Sequence, residues 1–331
     1  MNAYGIRDIP VTPRWTAMQR QAFKPPVTIV RAWDPDRGWD GAAAVPLIID
    51  TLGDRVADCH ADVTVRLAAD ADALRARVEV RTESPCTAPA AEPGSSAFWS
   101  QDLIELRLLL ADDGEQLQVG LAASGAAWDN RGLLADAASL RAAPVEVDGG
   151  WGMELRLAFA AVGLPAPSAA RPLDLYALVA PALSVGGIRP LTAQSPAEQA
   201  FSQFERFGVF RVLTNPGAAG PVALKSLTPA AADLRPGTND AVARLHNASE
   251  APVTGRLHAE HECGNGDSFN RTTSVTLAPG ARREVPLVLE LARRAYTRVS
   301  CFLAVDGERY PLGSVTLRGM PGLDAPSVDA Q

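Results

Sequence analysis

Leu74-Arg-Ala-Arg-Val-Glu-Val-Arg-Thr82 alternates apolar and charged residues along most of its length. Leu74, Ala76, Val78 and Val80 fall on one side, and Arg75, Arg77, Glu79 and Arg81 on the other. Successive side chains of a strand point to opposite faces, so this stretch is a strand with one face in a core and one in water. That is the habit of an antiparallel sheet covered on one side. Strand-like runs recur over residues 61–68, 103–110, 117–122, 153–158 and 173–180. Each is bounded by Gly, Pro, Asp or Asn, which favour turns. Residues 133–143 and 159–163 read instead as short helices or loops, neither carrying a long helical period.

Further along, Thr214-Asn-Pro-Gly-Ala-Ala-Gly-Pro221 concentrates turn formers and reads as a linker. A second set of strands follows over residues 241–246, 253–262, 271–277, 284–291, 297–305 and 310–318, with turn signals at Asn265-Gly266, Pro279-Gly280 and Asp306-Gly307. Strands this short and this closely spaced are the pattern of an immunoglobulin-like sandwich. A chain of 331 residues exceeds the usual size of one core. The expected class is therefore all-β, with two β-sandwich domains. An N-terminal arm over 1–26 is expected to pack along the first domain or on a partner. The larger sandwich spans 27–214, a linker 215–221, the smaller sandwich 222–319, and a disordered tail 320–331.

The net charge of −7 argues against a nucleic-acid partner, whose phosphates demand clustered Lys and Arg. The longest apolar runs, such as residues 103–110 with Glu105 and Arg107 inside them, are too short to span a bilayer. The opening residues carry no apolar signal core, which favours the cytoplasm, with a periplasmic or extracellular home if a signal has been removed. Cys59 and Cys86 fall in the first half, Cys263 and Cys301 in the second. One disulfide per domain and four reduced thiols both fit that split. A composition rich in Arg, Ala and Asp suggests a bacterial source, and the Asn247 and Asn270 glycosylation patterns are discounted accordingly.

Several short motifs resemble family 9 carbohydrate-binding modules over about residues 39–213. They are Trp39-Asp-Gly41, Val63-Thr-Val-Arg-Leu-Ala-Ala-Asp70 with its partner strand from Ala73, and Gly150-Trp-Gly-Met-Glu-Leu-Arg-Leu157. Phe207-Gly-Val-Phe-Arg-Val212 resembles the closing strand, and the most specific piece is Phe98-Trp-Ser-Gln-Asp-Leu-Ile-Glu-Leu106. In that family two aromatic rings sandwich the end of a sugar chain. The C–H patches of a pyranose lie on the rings, while charged and amide groups meet its hydroxyls. The resemblance places Trp99 as the first ring and Phe201 as the second, where the family usually has Trp. It places Gln118 where relatives carry a basic ligand contact.

Trp128, Asp129, Asn130 and Arg131 form a compact cluster suited to a hydroxylated ligand. The candidate ligand-binding residues are thus Trp99, Trp128, Asn130, Arg131, Gln118 and Phe201, each weighed against ordinary packing. Trp151 reads as core. Asp102 is read as fixing its loop or helping to hold a structural Ca2+. Asp102 and Glu105, three apart, point to opposite faces and make a poor catalytic pair.

His258 and His261 face opposite sides of a strand, so a solvated strand end is favoured over zinc. The leading function is saccharide binding. A glycosidase-type enzyme, or a subunit of one, is the alternative, with Asp129, Glu146, Glu198 and Glu205 as loose candidates. A structural or assembly role is a further alternative, in which the C-terminal domain supports a protein partner or homo-oligomer. Haem between Met153 and His60 is a weaker idea.

Overall fold

The computed structural model describes residues 23–45, 49–50, 62–88, 91–110, 115–168, 172–183, 192–193, 195, 206–214, 216–231, 234–264, 266–293 and 295–319. Strands dominate, so the fold is all-β as the alternation implies. In chain order they are β1 Val27–Ala32, β2 Ala43–Ala44, β3 Ile49–Asp50, β4 Asp62–Ala69, β5 Ala73–Arg81, β6 Leu103–Leu109 and β7 Gln116–Ala122. There follow β8 Ala127–Asp129, β9 Leu140–Val145, β10 Gly150–Ala158, β11 Leu173–Ala182, β12 Thr192–Ala193 and β13 Gly208–Leu213. The rest of the chain adds β14 Val222–Pro229, β15 Gly237–Asn247, β16 Val253–Cys263, β17 Ser268–Leu277, β18 Arg282–Leu291, β19 Tyr296–Val305 and β20 Glu308–Arg318.

The first unit is one long ladder in the order β8-β7-β6-β11-β13-β1-β4-β5-β10-β9, with β2 on the flank of β4. Its two halves share a single core. Leu67, Leu74, Val78 and Leu155 on one side meet Leu106, Val119, Val179 and Phe210 on the other. The sheet therefore folds back on itself into two layers, and β1 is where the layers join. Val27 to Arg31 run parallel to β13, while Arg31 and Ala32 pair with β4. A strand that changes neighbours along its length is the usual corner of a sandwich. The β5 alternation sets the inner face: Leu74, Ala76, Val78 and Val80 are buried, and all nine β5 residues pair with β10.

Two sequence readings change. Residues 133–143 contain a 3-10 turn at Leu133–Ala135 and then strand β9, not one helix or loop. Ala-rich and carrying Pro144, β9 lies at the end of the ladder, where a missing N–H costs nothing. The stretch read as a solvated strand end is the interior of β16. His258 and His261 do face opposite ways, but His261 is fully buried, and burial pulls its imidazole below the usual range.

Sheets β14-β15-β18 and β17-β16-β19-β20 enclose the second core, built from residues such as Leu245, Leu257, Leu289, Val299 and Leu317. Cys263 and Cys301 are both free and buried there. Cys263 stands opposite Thr297 and Cys301 opposite Ala259, four residues apart along paired strands. At about 3.3 Å per residue that offset exceeds disulfide reach. Cys59 and His60 lie outside the described residues, and Met153 is core. Asn247 is buried and donates to the carbonyls of Ala251, Leu277 and Ala278, which leaves no acceptor for a glycan.

The two units are clasped through backbone carbonyls. Arg31 of β1 donates to Gly220 O and Ala219 O, both at 2.9 Å, and to Val222 O. The short helical turn Pro216–Ala219, inside the segment read as a linker, is held in this way, and Ala219 is buried beside Ile29 and Leu213. Burial, with the charge of Arg37, lowers the Arg31 pKa to about 10, so it is charged at neutral pH. From the other side, Lys225 of β14 donates to Asp40 O at 2.8 Å and Ala42 O at 2.9 Å. The start of β1 and the end of the arm reach the second unit too: Val27 N donates to Ser314 Oγ at 2.7 Å, and Phe23 stacks edge-on against Tyr296 at 5.4 Å.

Arg31→Met keeps the aliphatic stem and strips three carbonyls of their donor. The expected loss is about 2–4 kcal/mol, with one unfolding transition separating into two in a urea titration read by fluorescence. An unchanged single transition would show that the clasp contributes nothing.

Candidate functional site

The outer face of β8-β7-β6-β11 is set by the same alternation that builds the core. In β6, Ile104, Leu106 and Leu108 point inward, so Leu103, Glu105, Arg107 and Leu109 point outward. Ladder register then lines up Trp128, Gly120, Glu105 and Ala180 in one row, and Gln118, Arg107 and Leu178 in the next.

Trp99 comes to this face on α1, Ser96–Ser100, a helical turn whose N-cap Ser95 Oγ accepts from Phe98 N at 3.2 Å. Phe98 is fully buried and roots the turn. The Trp99 ring stands edge-on to Phe98 at 5.1 Å and to Trp128 at 5.2 Å, with 79° between the two indoles. Its Nε1 donates to Gly94 O at 3.2 Å. Two glycines make the corner possible. A Cβ on Gly120 would lie 2.9 Å from Phe98 Cε1 and 3.3 Å from Trp99 Cη2. A Cβ on Gly94, which sits at φ +82°, would lie 2.4 Å from Trp128 Nε1. The indole corner therefore rests directly on backbone.

Beside it lies a polar network. Glu105, almost fully buried, pairs with Arg107 and accepts from Gln118 Nε2 at 2.9 Å. Arg107 Nη1 also reaches Gln116 Oε1 at 3.4 Å. Burying a carboxylate is costly unless it is paired and hydrogen-bonded, and here both conditions are met. Glu105 and Arg107 were not among the sequence candidates. The signal was present in Leu103-Ile-Glu-Leu-Arg-Leu-Leu109, where two charges share the face opposite the core.

The remaining candidates divide. Asn130 is spent on the sheet: its Oδ1 accepts from Gln118 N at 2.9 Å and its Nδ2 donates to Gln116 O at 3.0 Å. Arg131 pairs with Glu115 at 2.6 Å. Asp129, buried, accepts from Arg131 N, Leu133 N and Leu134 N at 2.8–2.9 Å, so it ties the turn after β8. A carboxylate committed to three N–H groups is a poor proton shuttle. Glu146 lines a separate open cleft with Asp148 and Trp151, while Glu198, Glu205 and Phe201 lie outside the described residues. Trp151 is core.

Asp102 is buried and clasps its loop. Its Oδ2 accepts from Cys86 N at 3.0 Å, its N donates to Cys86 O, and Ala123 N donates to its carbonyl. Calcium takes six to eight oxygens. Among the described residues no group of three or more His, Cys, Asp or Glu could hold a metal ion. No helix among the described residues is long and apolar enough to cross a membrane.

No family model matches the chain, and no curated protein matches it. Its structural neighbours include family 9 carbohydrate-binding modules. One, from Caldicellulosiruptor kristjanssonii in complex with cellotriose, is 16% identical at a TM-score of 0.44, covering 58% of this chain and 96% of that one. The same kind of module from that organism in complex with glucose is 15% identical at 0.44, covering 59% and 100%.

Gly120→Ala is expected to displace Trp99 from Trp128 and cost about 1–3 kcal/mol through overpacking. Near-UV circular dichroism should lose the signal of the paired indoles while the far-UV spectrum stays unchanged. Retention of that signal would mean that the corner tolerates a Cβ.

Proposed function

We propose that this chain binds a saccharide at the outer face of β6-β7-β8, against the corner formed by Trp99 and Trp128. The observation that carries this reading is the T-shaped indole pair, with Glu105 in the same row as Trp128 and Arg107 and Gln118 in the next. Indole faces at right angles offer a flat patch for pyranose C–H groups and a wall beside it. An ion pair and an amide at that distance supply the donors and acceptors that sugar hydroxyls need. The site is also held in place. Phe98, Gly94, Gly120 and Ser95 fix the rings, and the glutamate is paired before any ligand arrives, so little ordering is left to oppose binding.

Asn130 and Asp129 act in this reading as supports that hold the β7–β8 edge and its turn, and Arg131 works at the rim with Glu115. Asp102 serves as a loop clasp. Binding without turnover is the favoured outcome, because Asp129 is committed to backbone and Glu105 to Arg107.

Trp99→Ala is expected to weaken saccharide binding by about tenfold or more, equivalent to about 1.4 kcal/mol, in calorimetry across a glycan panel. Binding should persist when calcium is chelated, and mass spectrometry should find no cleaved product. A wild-type protein silent across the panel would end the saccharide reading, and cleaved product would replace it with the enzymatic one.

A further inference from the structure

The second cleft of note lies between the two units, remote in the ladder from the indole corner, with a volume of about 560 Å3. The first unit gives it Arg66 of β4. The second gives Lys225 of β14, Arg244 of β15, and Arg282 and Arg283 of β18. Among the described residues only Asp40 and Glu284 oppose these five cations in its lining, although the chain as a whole carries a net charge of −7. Basic groups have thus been gathered here against the overall balance.

The acids nearby are already taken. Glu284 pairs with Arg244 at 2.8 Å, and Asp40 stands 3.4 Å from Arg282. Arg66 shares Glu79 with Arg77, at 2.8 and 2.6 Å. Among the described residues, Lys225 and Arg283 have no carboxylate. Lys225 donates to two carbonyls across the junction, and Arg283 Nη1 donates to Thr276 O at 2.9 Å. Of the three donors on the Lys225 ammonium, two are placed and one remains for a ligand.

The position of Lys225 is built by the backbone. In the β14–β15 ladder, Leu224 faces Leu245 and Ser226 faces Arg244, which leaves Lys225 as the extra residue of a β-bulge. A bulge re-aims the side chain of its unpaired residue, and here it sends the ammonium toward the first unit. His246, the neighbour of Leu245 on β15, adds a buried Nδ1 with no hydrogen-bond partner.

We propose that this cleft is a second binding site, for a small ligand bearing an oxyanion: a carboxylate, sulfate or phosphate group held between Lys225, Arg66 and Arg282, with Arg283 adding positive charge at the lining. The volume suits a ligand of monosaccharide size. Arginine forks and an ammonium are the donors that such oxyanions take best. An anion would also relieve strain that the fold carries without one. Lys225 faces Arg31 of β1, Arg66 of β4 and Arg282 of β18, with Asp40 the single opposing charge among the described residues and His246 nearby on β15. Burial first, then those cations, lower its pKa to about 8. Burial first, then the charges of Lys225, Arg282 and Arg31, lower the pKa of His246. Because the folded pKa of Lys225 lies below its ordinary value, the buried charge costs stability at neutral pH. That cost fades as pH rises from about 8 toward the ordinary lysine range. Anion binding has the opposite dependence: it is strongest while Lys225 is protonated and weakens as pH rises through its pKa.

The test is calorimetry on the full chain in low salt with inorganic phosphate, with glucuronate, and with glucose as the neutral control, each to about 10 mM. Phosphate or glucuronate should bind, weaken with added salt, and weaken again at about pH 9.5. Phosphate alone would mark a bare-oxyanion site and glucuronate alone a sugar-acid site, and either supports the proposal. Arg282→Gln with Arg283→Gln, at exposed positions that leave folding intact, should reduce affinity by about tenfold or more. Lys225→Met should do the same, with the double variant deciding the matter if Lys225→Met misfolds. Trp99→Ala should leave anion binding unchanged, so failure here and failure of the saccharide reading are separately visible. The proposal is overturned if neither anion binds, or if anions bind the double variant as tightly as the wild type.

Discussion

The Arg31 guanidinium, donating to the carbonyls of Ala219, Gly220 and Val222, is the contact on which the arrangement of the whole chain depends. Arg31 sits at the point where β1 leaves β13 and joins β4, so one side chain secures the corner of the first sandwich and the entry to the second. Among the described residues its acceptors are carbonyls and not a carboxylate, and a buried cation without an opposing charge costs free energy. Lys225 repeats the device from the opposite side. The junction therefore concentrates positive charge in an acidic protein, and the basic cleft follows from how the two units are joined.

The indole corner obeys a different constraint. Trp99 and Trp128 touch because Gly94 and Gly120 remove the two Cβ atoms that would hold them apart. Their polar neighbours are satisfied within the sheet, as close packing and low polarity require. Under the saccharide proposal such a surface would bind by presenting fixed groups. The price is that Asp129, Asn130 and Asp102, which look chemically able in isolation, are consumed in holding turns and loops.

Much of the fold was legible because strand alternation is local. The run from Leu74 showed its buried face directly, and most strands of the second unit lie within a residue or two of their expected bounds, β15 being longer. Where local pattern failed, the reason was also local. In β9, alanines and Pro144 blur the period on an edge strand, and in β14 the bulge at Lys225 resets the alternation halfway. Trp99 was readable as a candidate from the motif around Phe98, and Gln118 from its place on the strand after Glu105. Glu105 and Arg107 were overlooked because their closeness to Gln118 is a matter of register between β6 and β7.

By itself the sequence determined the all-β class, the inward face of each regular strand and the presence of two strand-rich segments, since each follows from side-chain period and turn chemistry over a few residues. Tertiary structure alone decided which polar side chains are spent on turns and loops, that Trp128 stands against Trp99, and that Arg31, Lys225 and the β18 arginines meet at one junction. Those facts join residues up to 250 or so positions apart, and only the register and packing of distant strands bring such residues within hydrogen-bonding or Coulombic range.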